Sequence, residues 1–197
     1  YYNIGFRLEP KDRTGFAHLF EHLMFQGSAN LAKGQFFKLG TVLEGLSAAD
    51  WDTPTHAPGW SVRDQVSHLA FFDEAASRAM MDGEAFAAEV RAALQGVSDL
   101  EGQYLARGRG MAPSGVLDWW RAASSALIAT ARTLDPKARL PWYGPDMSPA
   151  SFITARLMET WSHGLDVVDV VDGDRPDTDR LRHVAFLGVR TRAHSYI

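Results

Sequence analysis

Three groups of side chains in this sequence have the types and spacing to hold a metal ion. Residues 18–22 read His-Leu-Phe-Glu-His, residues 159–163 read Glu-Thr-Trp-Ser-His, and His68 lies between the two. Side chains four apart on a helix project from one face, about one turn apart. His18 and His22 would therefore present two imidazoles together, with Glu21 beside them to deprotonate a zinc-activated water. Glu159 and His163 offer a carboxylate oxygen and an imidazole nitrogen, both usual zinc donors. Adding His68 from a facing helix gives a His-Glu-His set with one coordination position open, the arrangement that a catalytic site keeps.

On the residues alone a second reading stands beside each of these. A core-facing histidine is commonly a hydrogen-bonded structural residue, and Glu-x-x-x-His also occurs as a polar i,i+4 pair on a solvated helix face. Glu159 and His163 sit between Leu157 and Leu165, and His68 shares its helix with Val66, Leu69 and Phe72. A carboxylate buried in such an apolar stripe needs a compensating partner.

The elements that must position these groups are mostly helical. Residues 1–9 read as a short strand, and Phe16, Leu19, Phe20, Leu23 and Met24 recur at helical spacing over Thr14–Phe25. A helix is expected from about Gln35 to Ala48 along Phe36, Leu39, Val42, Leu43 and Leu46. After a connector with two prolines, Ser61 and Asp64 form a capping-box start for a helix that fades near Asp82–Gly83. Glu84–Leu94 is helical again, and the glycine-rich stretch Gly102–Gly110 reads as a loop. Pro113 suits the first turn of the next helix. Leu134–Asp146 reads as a connector, Ser148-Pro149 opens a long helix closed by Gly173, and Thr178 to about Ser195 makes a last one. From about residue 35 onward the expectation is an all-α body, a helical bundle with four long amphipathic helices.

The chain has 197 residues, 46% of them hydrophobic and 22% charged, which suits one soluble domain with an appendage. A formal charge of −4 gives no reason to expect a nucleic-acid partner. No apolar run approaches the roughly 18 residues that would span a membrane. There is no cysteine, so no disulfide, thiolate ligand or protein-borne thiol nucleophile exists, and a cytoplasmic setting is favoured. No charged-then-apolar leader follows Tyr1, and the chain stops within a helical pattern at Ile197, so both ends are expected to be cut.

Asp50-Trp-Asp-Thr-Pro-Thr, Pro58-Gly-Trp-Ser-Val-Arg-Asp-Gln-Val-Ser-His-Leu69 and Ala155-Arg-Leu-Met-Glu-Thr-Trp-Ser-His-Gly-Leu-Asp166 resemble the N-terminal domain of mycothiol-dependent maleylpyruvate isomerase. That family is a branch of the DinB-like four-helix metal-binding proteins, and the likeness runs over about residues 40–197. The resemblance implies a DinB-like bundle over residues 39–197 with metal ligands at His68, Glu159 and His163. It further implies a divalent ion, usually zinc, and a small-molecule thiol such as mycothiol as cosubstrate for isomerisation or thiol transfer. Full-length relatives carry a further C-terminal domain. Trp142, Tyr143, Gly144, Pro145 and Arg156 are expected near the pocket, with packing an equal reading for Trp142 and Tyr143.

Asn3-Ile-Gly-Phe-Arg and Arg13-Thr-Gly-Phe-Ala-His-Leu-Phe-Glu-His-Leu-Met-Phe-Gln-Gly-Ser28 resemble pitrilysin/insulinase-type metallopeptidases, whose H-x-x-E-H motif falls on His18, Glu21 and His22. This likeness stops near residue 38. A distant glutamate completes the zinc site in that family, and the surroundings of Glu101 do not resemble its segment. About 38 residues cannot bury the core of such a domain. Residues 1–38 are accordingly expected to be an appendage, a peptidase-like fragment resting on the bundle or on another subunit of a homodimer.

Overall fold

Helix formation and helix packing account for the architecture of the computed structural model, which describes residues 35–96, 99–171, 173 and 181–185. The helices are α1 (Gln35–Glu44), α2 (Val62–Met81), α3 (Gly83–Leu94), α4 (Leu100–Arg109), α5 (Pro113–Ala131) and α6 (Pro149–Val168). No strand occurs among the described residues; Pro54 with Ser61 and Leu140 with Met147 form isolated antiparallel bridges. The expected strand at 1–9 and helix at 14–25 lie outside the described residues. Of the expected last helix, residues 181–185 are described and are helical.

Helices α1, α2, α5 and α6 form the bundle. The central member is α2, packed against α5, α6, α4 and α3, while α1 lies on α6. Its apolar side chains Val62, Val66, Leu69, Phe72, Ala76 and Met80 are buried, together with Leu39 and Leu43 of α1, Trp120 and Leu127 of α5 and Phe152 of α6. The start of α2 is set as expected: the Ser61 side chain accepts from the Asp64 backbone, and the Asp64 carboxylate accepts from the Ser61 N–H at 2.9 Å. Pro113 and Pro149 occupy first turns, where a missing N–H costs nothing.

The glycine-rich stretch 102–110 overturns its expected loop, because most of it lies in α4. Asp99 caps that helix by accepting from Gly102 N at 2.8 Å. Gly108 has no side chain to keep α2 away: a β-carbon there would lie 1.8 Å from Ser67 Oγ. Arg109 clamps the junction through a two-pronged contact with the Asp64 carboxylate, both at 2.9 Å. Close approach, rather than chain flexibility, explains the glycine.

The segment between α1 and α2 carries an aromatic lid. Thr55 N donates to Trp60 O at 2.8 Å and Val62 N to Thr53 O at 3.1 Å, folding the chain back on itself. Gly59 has φ of 82°, a left-handed conformation that other residues adopt at a cost. This turn sets the Trp60 indole beside α2 and α6.

Candidate metal centre

His68 lies on α2, and Glu159 and His163 are one turn apart on α6. Packing of the two helices brings the three side chains together. His68 Nε2 is 3.1 Å from Glu159 Oε2, and His163 Nε2 is 3.2 Å from the same oxygen. One donor atom from each residue lies within 4.8 Å of the other two. The imidazole centroids are 4.3 Å apart. Two imidazole nitrogens and a carboxylate oxygen are a donor set that zinc takes in three-ligand sites with a remaining open position. These residues fit such an ion.

Protonation favours the same use. Burial, with help from the charge of His163, lowers the His68 pKa to about 3, so its ring is neutral. Burial alone would raise the Glu159 pKa. The hydrogen bonds from His163 and His68 and the charge of Arg156 outweigh it and hold the carboxyl well below the usual range. A neutral imidazole and an ionised carboxylate are the forms that bind a metal.

The cluster is walled on one side by rings. Phe72 lies 4.6 Å from His68, Trp60 and Tyr104 each 5.4 Å, and Trp60 stacks over His163 at 6.0 Å and 14°. Trp60 is itself tethered by its indole N–H, which donates to Glu101 Oε1 at 3.1 Å. Glu101 thus serves the rim of this wall. Tyr104, on the helix that was expected to be a loop, is a wall residue that sequence reasoning missed. Its cue was an Asp99 cap followed by Leu100, Tyr104 and Leu105 at helical spacing.

Beneath the cluster lies a buried ionic layer. Arg156 is 1% exposed and Asp73 0%, and Arg156 Nε donates to Asp73 Oδ1 at 2.7 Å. The other Asp73 oxygen accepts from Ser124 Oγ at 2.5 Å, and Arg156 Nη2 donates to Leu69 O at 3.3 Å. Arg156 Nη1 stands 3.9 Å from Glu159 Oε2 and has no hydrogen-bond partner among the described residues. Arg156 thus supports the floor of the site from below rather than lining an open pocket. Trp142 is buried and stacks on Phe86 at 5.5 Å, and the partly buried Tyr143 meets Phe86 edge-on at 5.4 Å, packing against the core. His18, Glu21 and His22 lie outside the described residues.

Comparison with known proteins bears on both ends of the chain. Residues 1–49 match the insulinase family of peptidases. Two uncharacterized proteins of Mycobacterium tuberculosis, from two strains, are each 39% identical over 159 residues, which is 81% of this chain and 62% of theirs. The chain therefore spans about 62% of the length of the curated relatives it matches. A crystal structure of the mycothiol-dependent maleylpyruvate isomerase aligns with a TM-score of 0.56 over 89% of this chain and 68% of that one. At 17% identity that likeness establishes the all-helical DinB-like fold. Residues 37–168, which hold the whole His-Glu-His cluster, match the mycothiol maleylpyruvate isomerase N-terminal domain, and the chain belongs to that family.

Proposed function

We propose that residues 39–197 form a zinc-binding bundle that activates a small-molecule thiol such as mycothiol, for isomerisation or thiol transfer in the cytoplasm. The observation that carries this reading is the convergence of His68, Glu159 and His163 within 4.8 Å. A divalent ion held there supplies Lewis acidity, lowering the pKa of a thiol brought to its open position. Two neutral imidazoles and one carboxylate leave a divalent site with net positive charge, which favours an incoming thiolate. Trp60, Phe72 and Tyr104 keep water from one side of the cluster. Arg156 and Asp73 fix the floor on which Glu159 stands. The absence of cysteine from these 197 residues suits a sulfur that arrives with a cosubstrate.

The test is spectroscopic. Cobalt(II)-loaded protein titrated with mycothiol should develop a sulfur-to-cobalt charge-transfer band, and His68→Ala protein should not. Cobalt-loaded protein that shows no band with mycothiol would overturn thiol activation and leave a non-catalytic metal-binding bundle.

A second reading, a zinc peptidase fragment using His18, His22 and Glu21, is favoured by the insulinase match over residues 1–49. That match overlaps α1, where Leu39 and Leu43 are each 1% exposed and committed to the bundle core.

A further inference from the structure

Gln65 occupies a position in this cluster that the metal-ligand pattern does not specify. It is fully buried on α2, one turn before His68, and its amide lies among three polar groups. Gln65 Nε2 is 2.9 Å from Thr55 Oγ1 and 3.2 Å from Asp166 Oδ2, while Oε1 is 2.5 Å from His163 Nδ1. The neighbours decide which way the amide faces. The single hydroxyl proton of Thr55 is committed to Trp60 O at 3.0 Å, so Thr55 Oγ1 accepts from Gln65. The Asp166 carboxylate, when ionised, can only accept. With both neighbours accepting, the Gln65 NH2 must point toward them and its carbonyl toward His163. A carbonyl cannot donate, so the hydrogen in the contact with His163 sits on Nδ1. The hydrogen that Nε2 donates to Glu159 in the metal-free site is thus the one that metal binding would displace, leaving the Nε2 lone pair as the ligand.

We propose that Asp166 and Gln65 are a positioning relay that selects the Nδ1–H tautomer of His163 and aims Nε2 at the metal. This rests on the metal reading given under Proposed function. Hydrogen bonds to the outer nitrogen of a ligating histidine fix ring orientation and raise ligand basicity. The relay reaches only one of the two histidines. His68 Nδ1 is buried without a hydrogen-bond partner among the described residues, and its ring is held by Phe72, Trp60 and Tyr104. The His163 side chain is the more exposed, 19% against 11% for His68. It therefore depends more on a polar anchor. Asp166 lies three residues beyond His163 on the same helix, which places its carboxylate where the Gln65 amide bridges the two side chains.

Two measurements test the relay. Long-range nitrogen–proton NMR on histidine-labelled protein should show His163 Nδ1 protonated with and without metal, and zinc should shift Nε2. Zinc affinity, read by competition with a chromogenic chelator, should fall about 10–100-fold in Gln65→Met, the usual effect of losing an outer partner. The double variant Gln65→Glu/Asp166→Asn places a carboxylate acceptor toward His163 and an amide donor behind that carboxylate. Net charge is unchanged, and the affinity should recover. Zinc on His163 Nδ1, or unchanged affinity in Gln65→Met, overturns the relay. If wild-type protein takes up no zinc, the metal reading fails. The metal-free spectrum then decides the relay alone: a protonated Nδ1 sustains the tautomer selection, and an unprotonated Nδ1 ends it.

Discussion

Replacing Arg156 with methionine should cost the metal-free protein about 3–5 kcal/mol, the usual result of removing one partner from a buried ion pair. The magnitude follows from burial: Arg156 and Asp73 are 1% and 0% exposed, so water cannot solvate the carboxylate left behind. Ser124 Oγ would remain as the side-chain donor to Asp73, and Glu159 would lose the cation 3.9 Å away. For a domain of this size the loss corresponds to a fall in melting temperature of about 6–20 °C. Because native stabilities are commonly about 5–15 kcal/mol, the variant should still fold in the cold. The deficit should narrow as pH falls, because the orphaned Asp73 carboxyl can take up a proton that the unfolded chain holds less tightly. Burial already raises the pKa of this group in the intact pair. Removing both charges in Arg156→Met/Asp73→Leu should restore much of the loss, since well-packed apolar replacements of buried pairs are often neutral or stabilising. Urea denaturation of the two variants at pH 7 and pH 5 provides the comparison. A loss under about 1 kcal/mol in Arg156→Met, or a double variant weaker than the single, would refute the account of this layer.

Other expectations follow from the same geometry. Gly108→Ala should destabilise by about 1–3 kcal/mol through overpacking against Ser67, exceeding the roughly 1 kcal/mol that alanine gains as a helix former. Ser67→Gly in the same chain should relieve the loss, and a stable Gly108→Ala single variant would contradict the α2–α4 contact. The metal-free protein should lose stability as pH falls below 6.5 toward 3, because the unfolded chain protonates a histidine that His68 keeps neutral in the fold. The slope from this group is at most about 1.4 kcal/mol per pH unit; equal stability at pH 7 and pH 5 would contradict a neutral, buried His68. Zinc at a hundredfold excess over Kd should stabilise by about 2.7 kcal/mol, raising the melting temperature by roughly 5–11 °C, and a chelator should reverse the rise.

What the sequence made legible is what local patterns encode. The capping box at Ser61 and Asp64, the first-turn prolines and the apolar stripes of α2, α5 and α6 led directly to helices where they are found. The stretch 102–110 misled because glycine usually marks a turn, whereas Gly108 lets α4 approach α2. His68 could be offered as a partner of Glu159 and His163 by residue type, but with 91 residues between it and Glu159 only a resemblance pointed to it as a ligand. The groups around them left no such trace. Gln65 falls inside a family-like stretch without being singled out there, Asp73 and Ser124 carry no motif, and the meaning of all three depends on helices α2, α5 and α6 meeting in space. Arg156 was expected near the pocket, but its burial beneath Glu159 is a consequence of packing that spacing does not reveal.

Zinc content per chain, measured after dialysis for wild type, His68→Ala and His18→Ala side by side, separates a metal held by the bundle from one held by the N-terminal motif. The bundle site requires one zinc in the wild-type protein and in His18→Ala, with none retained in His68→Ala. Full metal content in His68→Ala together with its loss from His18→Ala would contradict it.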